Sequence, residues 1–115
     1  MYVDDLTRVH HMHDAAGEAI RFTEGKTRGV LDEDRQLALA LVKCIEIVGE
    51  AAAGVTQEFR ERHAEIPWSG IVAMRNRLIH GYFDIDLDRV WDTVVSNLPP
   101  LVAALETIVR AQGQH

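Results

Sequence analysis

The chain is predicted to be all-α, a bundle of four or five helices forming a single domain over residues 1–115. Three observations predict it. Apolar residues recur at intervals of three and four along several long stretches, as one face of a 3.6-residue helix requires. No stretch alternates apolar and polar residues as a half-buried strand would, and no internal repeat appears. A chain of 115 residues, 47% of them apolar, suits one hydrophobic core.

The elements follow in order. Asp4 or Asp5 caps a first helix, in which Leu6, Val9, Met12 or His13, Ala16 and Ile20 mark an amphipathic face. Thr23 to Gly29, with two glycines and no periodicity, is a loop. A second helix is expected from near Asp32 to about Ala53. Leu37, Leu41, Ile45, Val48 and Ala52 form its main stripe, and Leu39, Val42 and Ile47 widen it, so it should be central. Glycine costs helix stability, so Gly49 and Gly54 need reasons: close packing at Gly49 and termination at Gly54. Thr56 to Glu65 is polar and charged, a short surface helix or turn leading to Pro67. Asp84 or Asp86 caps a helix beginning near Leu87, with Val90, Trp91, Val94, Val95 and Leu98 apolar. Pro99-Pro100 should break or kink it before Leu101, Leu105, Ile108 and Val109 continue the pattern.

Composition narrows the function classes. The single cysteine, Cys44, lies in an apolar helical run, so no disulfide can form within the chain, as fits a reducing, cytoplasmic setting. The start, Met1-Tyr2-Val3-Asp4-Asp5, is acidic and unlike a signal peptide. No apolar run is expected to reach the roughly 20 residues of a membrane span. A formal net charge of −6 opposes indiscriminate nucleic-acid binding, though not a small basic site. His10, His11 and His13, with Asp14, invite a metal reading. Only His10 and His13 share a helical face, so surface or pocket-edge histidines are the expected reading and no metal site is assigned.

Chemistry concentrates between Ile66 and Tyr82. A proline opens this stretch and Gly81 closes it, as suits a short helix, with Ile71, Met74 and Leu78 on one face. Asn76 and His80 are four apart and stack on one face. Arg75 and Tyr82 are seven apart and share a neighbouring stripe if the helix extends that far. Gly81 would turn Tyr82 back toward His80. Two readings of this cluster stand open. An arginine and a histidine near a helix end can simply complement its negative dipole end. They can also cut RNA. The ribose 2′-hydroxyl is then the nucleophile, histidine with its unperturbed pKa of about 6.5 moves protons, and the arginine fork holds the phosphate. Glu50, between Gly49 and an alanine run, is either a solvated helix residue or a group orienting Arg75 or His80. There is no Gly-rich phosphate loop, paired-cysteine zinc site or nucleophile elbow.

The run Arg75-x4-His80-x-Tyr82 resembles the Arg-x4-His-x-Tyr signature of HepT-like toxins in the HEPN superfamily. Ile47 to Ala52, Ile66-Pro67-Trp68, Phe83 to Asp86, Val90-Trp91 and Leu98-Pro99 followed by Leu101 are similar too, so the likeness covers roughly residues 6 to 110. The resemblance implies an α-helical homodimer that places Arg75 and His80 of both subunits in one cleft. It implies a metal-independent endoribonuclease toxin with no cofactor of its own, supported at the site by Asn76. It also implies an MntA-like nucleotidyltransferase antitoxin as partner, using ATP and magnesium to attach AMP to Tyr82. A bulky anion there would obstruct RNA by sterics and repulsion. RNA binding by so acidic a chain would depend on a local patch from Arg75, Arg77 and His80. The alternative is a non-catalytic helical dimerisation or nucleotide-binding module that partners a nucleotidyltransferase.

Overall fold

The computed structural model describes residues 4–78 and 85–113. Among them the chain forms helices α1 (Asp5–Thr23), α2 (Val30–Glu33), α3 (Arg35–Gly54), α4 (Gln57–Arg62), α5 (Trp68–Leu78), α6 (Leu87–Asp92) and α7 (Leu98–Gly113), and no strand. The fold is all-α. A single π-helical turn, Thr93–Asn97, joins α6 to α7.

Aspartates cap α1, α3 and α6. The Thr7 N–H donates to Asp4 Oδ1 at 2.7 Å, and that backbone hydrogen bond holds the Asp4 carboxyl below the usual carboxylate range. Asp86 caps α6 by accepting from the Arg89 N–H. Asp5 does a different job. Its two oxygens accept from the Thr56 N–H at 2.9 Å and the Thr56 hydroxyl at 2.7 Å, tying the start of α1 to the start of α4.

The second expected helix is two. Asp34 leaves helical geometry (φ −115°, ψ 88°) and accepts from the Leu37 N–H, so it closes α2 and caps α3. An aspartate that bonds the backbone locally competes with helix continuation. The end of α3 at Gly54 agrees with the expected termination. Arg8 lies against Gly54 where a side chain would otherwise stand. Arg60 from α4 donates through Nη2 to the carbonyls of Ala52 and Ala53 at 2.8 and 3.4 Å. Two guanidinium groups thus meet the negative end of α3. Neither Nε atom finds a partner among the described residues.

α3 is central, packing on α1 and α5 and touching α2 and α6, while α1 also packs on α7. The core is built from Val9, Met12 and Ala16 of α1, Leu41, Ile45 and Val48 of α3, and Leu101 and Leu105 of α7. Leu39, expected to widen the apolar face of α3, is 44% exposed. Ile45 is fully buried, so Ile45→Ala should cost about 2–5 kcal/mol. Urea denaturation should show a lower midpoint at unchanged slope.

Two sequence expectations need correction. The 56–65 segment is not wholly a surface element. Phe59 is 6% exposed, with its ring 4.4 Å from that of His63 and edge-on to Trp68 at 6.2 Å. Trp68 is buried as well and donates its indole N–H to the His63 carbonyl at 3.0 Å. The second concerns Pro99-Pro100, expected to break or kink the helix: they do not break it. The prolines fall in the first turn of α7, where missing N–H groups cost little. The π turn just before them re-registers the backbone, with the Leu98 N–H reaching the Thr93 carbonyl.

Leu87–Ala111 is therefore one continuous helical run of 25 residues, long and apolar enough by length and composition to cross a membrane. Its stripe of Val90, Val94, Leu98, Leu101, Leu105 and Ile108 is buried in the core, but most of the run is not, and Val95 is 40% exposed.

Candidate active site

The site begins with a missing side chain. Gly49 is buried where α3 passes α5, and a Cβ on it would lie 2.5 Å from Arg75 Cβ, 2.7 Å from Cδ and 2.9 Å from Cγ. The aliphatic stem of Arg75 occupies the space that any larger residue at 49 would fill. The close packing expected of Gly49 is therefore a contact with the candidate catalytic arginine.

From this seat the half-buried Arg75 extends its guanidinium along the surface. Nε and Nη2 both donate to Asn76 Oδ1, at 3.2 and 3.0 Å. One edge of the planar group is held by the neighbouring amide. Among the described residues the other edge, Nη1 with the second Nη2 hydrogen, has no partner, and its donors suit an anion. A recess of about 300 Å³ is lined by Glu46, Glu50, Arg75 and Asn76. Glu46 and Glu50 are four apart and share one face of α3. Glu46 lies 3.6 Å from the Lys43 ammonium. Glu50 is exposed, and among the described residues no carboxylate comes within 4.0 Å of Arg75. Asn76 holds the guanidinium, and Glu50 contributes negative charge to the same recess. His80 and Tyr82, with Gly81, lie outside the described residues.

Elsewhere, His13 has structural partners. His13 Nε2 lies 3.0 Å from Glu106 Oε2, joining α1 to α7, with Asp14 at 3.6 Å and Arg110 also on Glu106 at 3.2 Å. His10 and His11 are exposed. Among the described residues, no group of three His, Cys, Asp or Glu is placed to hold a metal ion. Burial pushes the Cys44 thiol up, which keeps it protonated and a poor nucleophile.

The hydrogen bond with His13 holds the Glu106 carboxyl below its ordinary value of 4.5. A carboxyl with a depressed folded-state pKa adds stability above its unfolded pKa and loses it as pH falls through the folded value. Glu106→Gln should therefore be less heat-stable than the wild type at pH 6. The gap in thermal midpoint should close as the pH drops below about 4.5.

A second concavity lies on the other side of α5, between it and the α6–π–α7 run. It holds about 540 Å³ and is lined by apolar residues with Arg77, Arg89, Asp92, Ser96 and Asn97 among them. Arg77 belongs to the basic patch that the sequence suggests. Arg89, Ser96 and Asn97 carry no motif, because the π turn that presents the last two has no sequence signature.

Comparison with known proteins agrees with the architecture. A family model described as "Ribonuclease HepT-like" matches residues 12–108. The chain is 36% identical over 95 residues to "Probable ribonuclease HepT" of Thermococcus cleftensis, covering 79% of this chain and 86% of that one. It is also 36% identical over 80 residues to "Putative RNase TTE0752" of Caldanaerobacter subterraneus subsp. tengcongensis, covering 70% and 71%. No solved structure gives a significant match. A match over so much of the chain, on an all-helical fold, establishes that this protein belongs to the HepT-like ribonuclease family.

Proposed function

We propose that the chain is a metal-independent endoribonuclease toxin acting as a homodimer, with Arg75 and His80 of both subunits facing one cleft. The observation that supports it most directly is the Arg75 guanidinium, held along one edge by Asn76, seated against Gly49 and with its other edge unpartnered among the described residues. That edge suits two non-bridging phosphate oxygens. The 2′-hydroxyl loses its proton to a base and attacks the adjacent phosphorus. The bond to the 5′-oxygen breaks, that oxygen takes up a proton, and a 2′,3′-cyclic phosphate remains. His80 is the group suited to move these protons. The nucleophile comes from the substrate, so the protein need supply only proton transfer and charge stabilisation. Family membership and relatives named as ribonucleases support the reaction class.

In the same proposal, an MntA-like nucleotidyltransferase silences the toxin with ATP and magnesium: the Tyr82 phenol oxygen gives up its proton and bonds the α-phosphorus of ATP, and diphosphate leaves. The added phosphate would repel RNA at the cleft. Intact mass should be measured first, because a chain purified with Tyr82 already modified would look inert. An AMP increment absent from Tyr82→Phe supports the switch. Unmodified wild type should cut RNA and leave cyclic phosphate ends, and His80→Ala should lose this activity. A second reading, a non-catalytic module for a nucleotidyltransferase, is favoured by the acidic lining of Glu46 and Glu50 beside Arg75. Equal RNA degradation by wild type and His80→Ala would favour that reading over nuclease activity.

A further inference from the structure

The groove on the far side of α5 differs in character from the Arg75 recess. Its lining is apolar in part, with Met74 of α5 and Pro100 and Leu101 of α7 among the residues that form it. Two cations, Arg77 and Arg89, line it while remaining exposed, which places them at its mouth. Clustering two guanidinium groups at one opening is notable in a chain of formal net charge −6. Among the described residues, Arg77 has no carboxylate within 4.0 Å, and Arg89 has only Asp86, at 3.6 Å. The π turn brings Ser96 and Asn97 to the same groove, and such turns often mark functional positions in helices. The Asn97 amide offers a donor and an acceptor side by side, the pattern on the edge of a nucleobase. The Asp92 carboxylate also lines the groove and can accept only from donors such as ribose hydroxyls. A volume near 540 Å³ lies within the roughly 300–1,000 Å³ range of small-ligand sites.

We infer that this groove is a subsite for one ribonucleotide of a bound RNA strand, next to but separate from the cutting site. The base lies against Met74 and the Pro100–Leu101 wall, Asn97 reads its edge, and Arg77 and Arg89 meet the phosphate. This inference rests on the ribonuclease reading for its biological substrate but not for its test. The strand would then be gripped on both sides of α5, with Arg75 on the α3 side and this groove on the α7 side.

Methionine-methyl NMR tests it directly. The chain has three methionines, Met1, Met12 and Met74. Met12 is fully buried in the core, while Met74 lines the groove. Methyl-labelled, unmodified protein is titrated with 5′-AMP and 5′-CMP, with 2′-deoxy-AMP and inorganic phosphate as comparisons. The expected result is a saturable shift of the Met74 methyl with the ribonucleotides, weaker with the deoxynucleotide and absent with phosphate, while Met12 stays still. Asn97→Ala and Arg89→Gln, both exposed positions that should fold normally, should each weaken this binding about tenfold. They should also weaken binding of a cleavage-resistant RNA oligonucleotide by a similar factor. An unmoved Met74 at millimolar nucleotide, as expected if a protein segment fills the groove instead, overturns the inference. So does an equal shift with phosphate alone. The two readings fail separately: ribonucleotide binding without RNA cleavage would sink the nuclease and keep the subsite, and cleavage with a silent Met74 would do the reverse.

Discussion

Replacing Arg75 with alanine is expected to slow RNA cleavage about 100- to 1,000-fold, the usual cost of removing one preorganised donor to a developing anion. Arg75→Lys should recover little of it. An ammonium is a point charge and cannot offer two parallel hydrogen bonds, and it cannot share an edge with the Asn76 amide as the guanidinium does. Asn76→Ala should have a smaller effect, because it frees the guanidinium rather than removing it. Single-turnover cleavage of one defined RNA by all three variants, each shown to be helical by circular dichroism, measures this. If Arg75→Ala cuts as fast as wild type, the arginine is only complementing the end of α5.

The second large effect is expected at Gly49, which touches no substrate. Gly49→Val would put carbon where the Arg75 stem now lies, with even the first added atom at 2.5 Å from Arg75 Cβ. Either α5 moves off α3 or Arg75 leaves its seat. Overpacking of this kind costs about 1–3 kcal/mol. For a domain of this size each kcal/mol lowers the thermal midpoint by about 4 °C or more. Cleavage should fall at least tenfold at temperatures where the variant is still folded, because orientation is lost together with packing. Ala53→Val, at an exposed position on the same helix, is the control and should change both quantities little. A Gly49→Val protein that is less stable but fully active would show that the seat serves packing alone.

These two residues show what the sequence could and could not convey. Gly49 stood out because a glycine in so apolar a helix asks for a close neighbour. Which neighbour was invisible, since the contact joins residues far apart in the chain. Stripes such as Leu41, Ile45 and Val48 were legible because burial follows the helical period. Phe59 was not, because one aromatic in a charged run makes no period. Asp34 was overlooked because Leu31 continues the apolar pattern across the break, hiding a cap that acts through local hydrogen bonds. Pro99-Pro100 suggested a break because proline rules are written for α-helical hydrogen bonding, and the π turn satisfies the backbone in another way. At the site, Asn76 follows Arg75 directly, so their bond was within reach of the sequence. The roles of His80 and Tyr82 rest on the family signature and on the chemistry of imidazole and phenol.

The guanidinium groups of Arg8 and Arg60, drawn from α1 and α4, converge on the last carbonyls and final glycine of α3. Gly49 lies within two turns of that end. Helices fray from their termini, so the same two side chains that quiet the dipole also stand guard over the spot where Arg75 rests. Loosening either clamp would let the geometry of the Arg75 recess blur before the protein as a whole lost its shape.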